Sequence, residues 1–179
     1  MSLLVLVTLV GRLAVAIPQK IELPDWDNAV RFELLASQDK ARPGDTLQLA
    51  LVTRILPGYH IYGPKEKKPN RTELQALPSS ELRFGEPVFP PGLARELADL
   101  GTFDLYEGEV TFRIPFRISR EAAVERPFPV QVKVNYQICT DSACSPPVAR
   151  TLSLFLPAAP RGTAVRTVRP EIFARRKAS

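Results

Sequence analysis

Apolar and polar side chains alternate with a period of two along much of this chain, which leaves room for little besides β-structure. From Glu109 to Ile118 the apolar set Val110, Phe112, Ile114, Phe116 and Ile118 alternates with Thr111, Arg113, Pro115 and Arg117, as a half-buried strand requires. Val130, Val132, Val134, Tyr136 and Ile138 repeat the pattern against Gln131, Lys133, Asn135 and Gln137. Leu47, Leu49, Leu51 and Ile55 alternate with Thr46, Gln48, Ala50 and Arg54. Val30, Phe32 and Leu34 alternate with Arg31 and Glu33, and Val148 to Leu156 reads as a return strand. Pro115 lies on the polar side of its strand and has no N–H to donate, so an edge position or a bulge is expected there.

Turn chemistry separates these runs: Arg42-Pro43-Gly44-Asp45, Pro57-Gly58, Pro90-Pro91-Gly92 and Glu107-Gly108. Eighteen prolines argue against long helices. Only Leu93 to Leu100, LARELADL, reads as helical, for about two turns. A chain of 179 residues suits one domain. Short strands with turn-rich connections and no βαβ alternation predict an all-β, immunoglobulin-like β-sandwich over residues 29–157.

The first sixteen residues contain an apolar run from Leu3 to Val10 and end in Ala14-Val15-Ala16, a pattern that predicts a signal peptide cleaved after Ala16. Residues 17–28 read as an extended lead. Export would place the chain in the periplasm or another oxidising compartment, where two cysteines are expected to be paired. The formal charge of +5 is spread along the chain, and no basic helix or interleaved aromatic motif points to nucleic acid. Residues 158–179 are rich in Arg and Ala with one acidic residue, and read as a solvated or partly disordered basic tail. The sharper alternative is a contact with anionic lipid or a partner through Ile172-Phe173 and Arg175-Arg176-Lys177.

Cys139 and Cys144 lie between the clearest strand and its return strand, at the neck of a hairpin. Directly opposed strand residues have Cα atoms roughly 4.5 to 5.5 Å apart, within reach of a disulfide. A loop of about six residues is stabilised by only roughly 2 kcal/mol on closure, against nearly 5 for a hundred-residue loop. A staple would do more between distant strands, yet spacing alone leaves a passive hairpin staple as the plainer reading. No metal or cofactor site is indicated: zinc wants four ligands, and the chain offers two cysteines and the single His60. The spacing is not Cys-x-x-Cys, and no Lys, Arg or His lies between the cysteines to depress a thiol pKa.

The segment YQICTDSACSPP, followed by a strand ending LSLFLP, resembles the cysteine segment of the periplasmic N-terminal domain of the DsbD-type thiol:disulfide interchange proteins. Pro57-Gly-Tyr-His-Ile-Tyr62 resembles that family's "PGWHIY" turn, and Leu105-Tyr-Glu-Gly-Glu-Val110 its "GYEGEV" strand entry, in the same order. The resemblance covers about residues 29 to 157. It implies an immunoglobulin-like domain that receives electrons through a membrane electron-transfer protein and thioredoxin-like proteins and reduces oxidised periplasmic client proteins.

Carried over residue by residue, Cys139 and Cys144 would be the redox pair, with Cys144 forming the mixed disulfide. Tyr59 and Tyr62 would flank the pair, although they also read as core aromatics at the sandwich end. A cap loop within Glu96 to Phe103, ahead of Tyr106, would shield it, placing Phe103 and Tyr106 among the binding or shielding residues. His60, between the two tyrosines, is expected to point away from the face they share. The 179 residues contain neither a multi-helix membrane domain nor a Cys-x-x-Cys domain, so the chain is expected to act as one station of a relay. A non-catalytic immunoglobulin-like binding module with a structural disulfide is the rival reading. An exported hydrolase lacks a nucleophile motif.

Overall fold

A computed structural model describes residues 24–67, 69–97 and 101–174. The expected signal peptide and most of the lead lie outside the described residues. The clearest alternation in the sequence forms β9 (Phe128–Tyr136), whose core-facing Phe128, Val130, Val132, Val134 and Tyr136 are all 0% exposed. β9 lies between β11 (Val148–Leu156) and β4 (Glu73–Ala76), antiparallel to both.

A second sheet has the order β1 (Val30–Ala36), β2 (Thr46–Ile55), β8 (Glu109–Ile118), β5 (Leu82–Phe84). Its apolar faces meet those of the β9 sheet in one hydrophobic core. The Phe32 and Tyr136 rings, one from each sheet, cross edge to face at 5.1 Å. The all-β, immunoglobulin-like sandwich expected from the alternation is therefore the fold of the described residues.

A third sheet lies beyond the end of β9: β10 (Ile138–Cys139), β3 (His60–Tyr62), β7 (Gly101–Tyr106) and β6 (Leu93–Leu97), in that order. The helical reading of Leu93 to Leu100 is corrected here, with 98–100 outside the described residues. Leu93 pairs with Leu105 and Arg95 with Phe103 in an antiparallel hairpin. Ala, Arg, Glu and Leu favour helix locally, but a partner strand at close sequence separation overrides that preference.

Of the edge or bulge expected at Pro115, the edge is corrected, since β8 is an inner strand between β2 and β5. The interruption is in the neighbour instead. β5 ends at Phe84, Gly85 donates to the Pro115 carbonyl at 2.8 Å, and the ladder resumes where Val88 and Arg113 exchange bonds. The proline nitrogen thus faces a gap in the ladder where no N–H is called for. A Cβ on Gly85 would stand 2.9 Å from Pro115 Cγ, so the close approach needs glycine.

After Pro157 the chain does not leave the domain as a solvated tail. Ala41 and Ala159 bond to the carbonyls of Pro157 and Ala41, Asp39 N–H donates to Arg166, and Val168 N–H donates to Ser37. Arg166 pairs with Asp39 at 3.0 Å and Arg169 with Glu33 at 3.2 Å. These bonds from Arg166, the backbone one first, hold the Asp39 carboxyl below its ordinary pKa. The short helix α1 (Pro170–Phe173) lies against β2, whose second face also carries buried residues, Ala50 and Val52. Of the proposed lipid contact, Arg175 to Lys177 lie outside the described residues.

Phe112, 0% exposed, should lose about 3–5 kcal/mol on Phe112→Ala, read by denaturant unfolding. Phe155→Ala, at a ring 69% exposed, should stay within about 0.5 kcal/mol of wild type.

Candidate functional site

β9 delivers the chain to the cysteines. Tyr136 pairs with Val148 at the end of the β9–β11 ladder, and Ile138 and Cys139 then pair with Ile61 and His60 of β3. Ile138 and Ile61 turn into the main core, so strand alternation turns Cys139 and His60 to the opposite face. There Cys139 packs with Tyr62, Leu105 and Phe103 in a small second cluster.

Cys139 and Cys144 are directly opposed, 4.0 Å apart at Cα, and joined by a disulfide. Backbone bonds hold the loop on both sides of that link. Thr140 N–H donates to Ala143 at 2.8 Å inside the turn, and Ser145 N–H donates to Ile138 at 2.8 Å outside it. The Thr140 hydroxyl accepts from the N–H groups of Ser142 and Ala143, forming a side-chain-stabilised turn. Gln137 Nε2 donates to the Ser145 carbonyl, and Ser145 Oγ accepts from Ile138 N–H and donates to Pro146 O. The disulfide therefore closes a loop that hydrogen bonds already close.

The two halves of the cystine differ sharply. Cys139 is 0% exposed, whereas Cys144, in the run Asp141–Cys144, is exposed. A thiolate arriving from solvent would find the Cys144 side of the bond the more accessible.

Of the aromatics singled out in the sequence, Tyr62 and Phe103 meet at Cys139, their rings edge to face at 5.6 Å. Tyr59 instead packs on the main core against Trp26, its hydroxyl accepting from Asp25 N–H at 2.9 Å. Tyr106 also belongs to the main core, stacked edge-on to Phe112 with its hydroxyl donating to Pro90 O. Burial pushes the phenols of Tyr62 and Tyr106 above their ordinary pKa. Of the stretch expected to hold the cap, Phe103 of β7 packs with Cys139, and residues 98–100 lie outside the described residues.

His60 overturns the expectation that it points away. Tyr59 and Tyr62, three residues apart, do not share a face; His60 and Tyr62 do, with rings perpendicular at 5.9 Å. His60 is 1% exposed, and its Nε2 has no hydrogen-bond partner. Burial holds the imidazole below its ordinary pKa, Arg95 adds to that, and Glu107 and Asp141 oppose it.

Arg95 is the residue that sequence reasoning missed. From β6 it grips Glu107 and reaches Asp141 of the cysteine loop at 3.2 Å, tying the hairpin to that loop. Forty-six residues separate Arg95 from Asp141, so no local pattern could have paired them.

A family model described as "Thiol:disulfide interchange protein DsbD, N-terminal" matches residues 31–156. No curated protein sequence matches the chain. Among solved structures, the DsbD N-terminal domain of Neisseria meningitidis in the reduced form is 24% identical, with 81% of this chain and 94% of that one covered at a TM-score of 0.45. The complex between the DsbD N-terminal and PilB N-terminal domains of the same organism gives 24% identity, 82% and 93% coverage, and 0.46. The N-terminal periplasmic domain of ScsB from Proteus mirabilis gives 20%, 75% and 49%, and 0.48.

After reduction, Cys144 should be alkylated by iodoacetamide at least about tenfold faster than Cys139, because only an accessible thiolate reacts. Peptide mass mapping of a time course reads the two rates separately.

Proposed function

The chain belongs to the DsbD N-terminal domain family of thiol:disulfide interchange proteins, and on that premise we propose that it relays electrons outside the cytoplasm through Cys139 and Cys144. Its reductant is a thioredoxin-like protein supplied by a membrane electron-transfer protein, and its clients are oxidised exported proteins. The observation that carries this reading is the exposed Cys144 joined to the buried Cys139. A staple has no need of such asymmetry, whereas exchange chemistry uses one sulfur for capture and the other for release.

In the first half of the cycle a partner thiolate attacks Cys144 Sγ. The Cys139–Cys144 bond breaks, a partner–Cys144 disulfide forms, and Cys139 leaves with the electron pair and acquires a proton. The partner's second thiolate then attacks its own sulfur in the mixed disulfide. The partner departs oxidised, and Cys144 is left as a thiol after protonation. Two electrons and two protons have moved. In the second half, the Cys144 thiolate attacks an oxidised client, and Cys139 displaces the client's thiol from the mixed disulfide.

Several features favour this cycle. The hydrogen-bonded frame around the loop does not depend on the disulfide, so both redox states can share one backbone. Tyr62, Phe103 and Leu105 cover Cys139, which restricts casual attack to Cys144. An exported location supplies oxidised clients.

Titration of the folded protein against glutathione or dithiothreitol should give a reversible couple with a midpoint above about −300 mV. A bond that resists reduction at lower potentials would instead be a structural staple. Cys139→Ser should accumulate a mixed disulfide with a thioredoxin-like protein through Cys144, and Cys144→Ser should not.

A further inference from the structure

Cys139 has to give up a proton whenever it resolves a mixed disulfide on Cys144, and its surroundings oppose that. Its residue is 0% exposed among Tyr62, Leu105 and Phe103, and burial disfavours a thiolate. Arg95, the nearby cation, is engaged by Glu107 and Asp141. Tyr62 stays protonated, its phenol raised by burial.

One titratable group shares the buried face at the position directly across from Cys139. His60 is its cross-strand partner, which sets the two Cβ atoms about 4.5–5.5 Å apart on the same side of the sheet. The imidazole is 1% exposed, and Nε2 is buried with no hydrogen-bond partner. A buried nitrogen left unpaired by protein groups is unfavourable unless something uses it. While the disulfide is intact neither sulfur carries a hydrogen; reduction adds a thiol hydrogen on Cys139, the residue directly across the strand pair from His60.

We propose that His60 is the proton acceptor for Cys139: Nε2 takes the thiol proton as Cys139 attacks the mixed disulfide on Cys144, and returns a proton to Cys139 when the bond is broken in the opposite direction. The proposal rests on the exchange reading above and assigns the base within it. In the resolving step the Cys139 S–H bond breaks and its proton passes to Nε2. The Cys139–Cys144 bond forms, and the client thiolate leaves with the electron pair. The imidazolium then loses its proton to solvent or to the departing thiolate.

The charges around His60 suit an acceptor that starts neutral. Burial, with Arg95 of β6, keeps the imidazole below its ordinary pKa, against Glu107 after β7 and Asp141 of the cysteine loop. Among the described residues, Tyr62 of β3 and Cys139 of β10 are further titratable groups facing it. Resolution should therefore be constant across neutral and alkaline pH and decline only where His60 becomes protonated, below pH 6.5.

The test uses the full chain, reduced and mixed with 5,5′-dithiobis(2-nitrobenzoate). Cys144 attack releases one thionitrobenzoate in a phase that depends on reagent concentration, and resolution by Cys139 releases the second in a phase that does not. His60→Phe should leave the first phase unchanged and slow the second about 100-fold at pH 7. The slowed phase should then rise about tenfold per pH unit, while wild type stays flat from about pH 7 to pH 9. Equal second phases in the two proteins, or a slowing by the same factor at every pH, would overturn the assignment. A wild-type protein whose folded disulfide cannot be reduced would instead bring down the exchange reading, and this assignment with it.

A second measurement needs no variant. His60 is the chain's one histidine, so its ring proton gives an unambiguous NMR titration. Its midpoint should differ by roughly one pH unit between oxidised and reduced protein, because coupled groups titrate as a pair. An identical midpoint in both states would rule out the contact with Cys139.

Discussion

Everything about the site depends on the register of β9. Six successive core-facing positions, from Phe128 through Tyr136 to Ile138, are at most 1% exposed, so the strand cannot slide without placing Gln131, Lys133 and Asn135 in the core. Because the pattern runs on to Ile138, the next residue must face away from the core. That residue is Cys139. A hydrophobic constraint many residues long thus decides which way one sulfur points, and pairing with β3 brings His60 and Tyr62 to the same place.

The strands that the sequence made legible are those whose alternation is complete on one face. The run from Glu109 to Ile118 forms a strand with those limits, and the opposed cysteines follow from a hairpin read by the same rule. Reading failed where the deciding partner was remote or a face was misjudged. LARELADL has helix-forming residues, yet Leu93–Leu97 is held by β7. Composition leaves the arginines after Pro157 without partners, whereas Arg166 and Arg169 pair at the surface with Asp39 and Glu33, more than a hundred residues upstream. His60 was assigned by its neighbours in sequence rather than by the strand opposite. The chemical role of the cysteines was legible only through resemblance, since five-residue spacing is equally suited to a staple.

Charge enters the site from its rim rather than from its centre. Arg95, Glu107 and Asp141 are all partly exposed, and pairs of that kind contribute about 0–1 kcal/mol in water. They tie the β6–β7 hairpin to the cysteine loop only weakly. Beneath them the buried groups are uncharged: the Cys139 half of a disulfide, an imidazole held below its ordinary pKa, and aromatic rings.

The hydrogen bonds from Thr140 to Ala143 and from Ser145 to Ile138 have a kinetic consequence. They keep the Cys139 side chain beside Cys144 even when no covalent bond joins them, so its effective concentration there is that of a tethered group, in the millimolar range or above. On the proposed cycle, a client captured on Cys144 would be released by an intramolecular reaction whose rate does not depend on how much of any other thiol surrounds the complex. The residence time of a client on that cycle would be set by a turn of four residues.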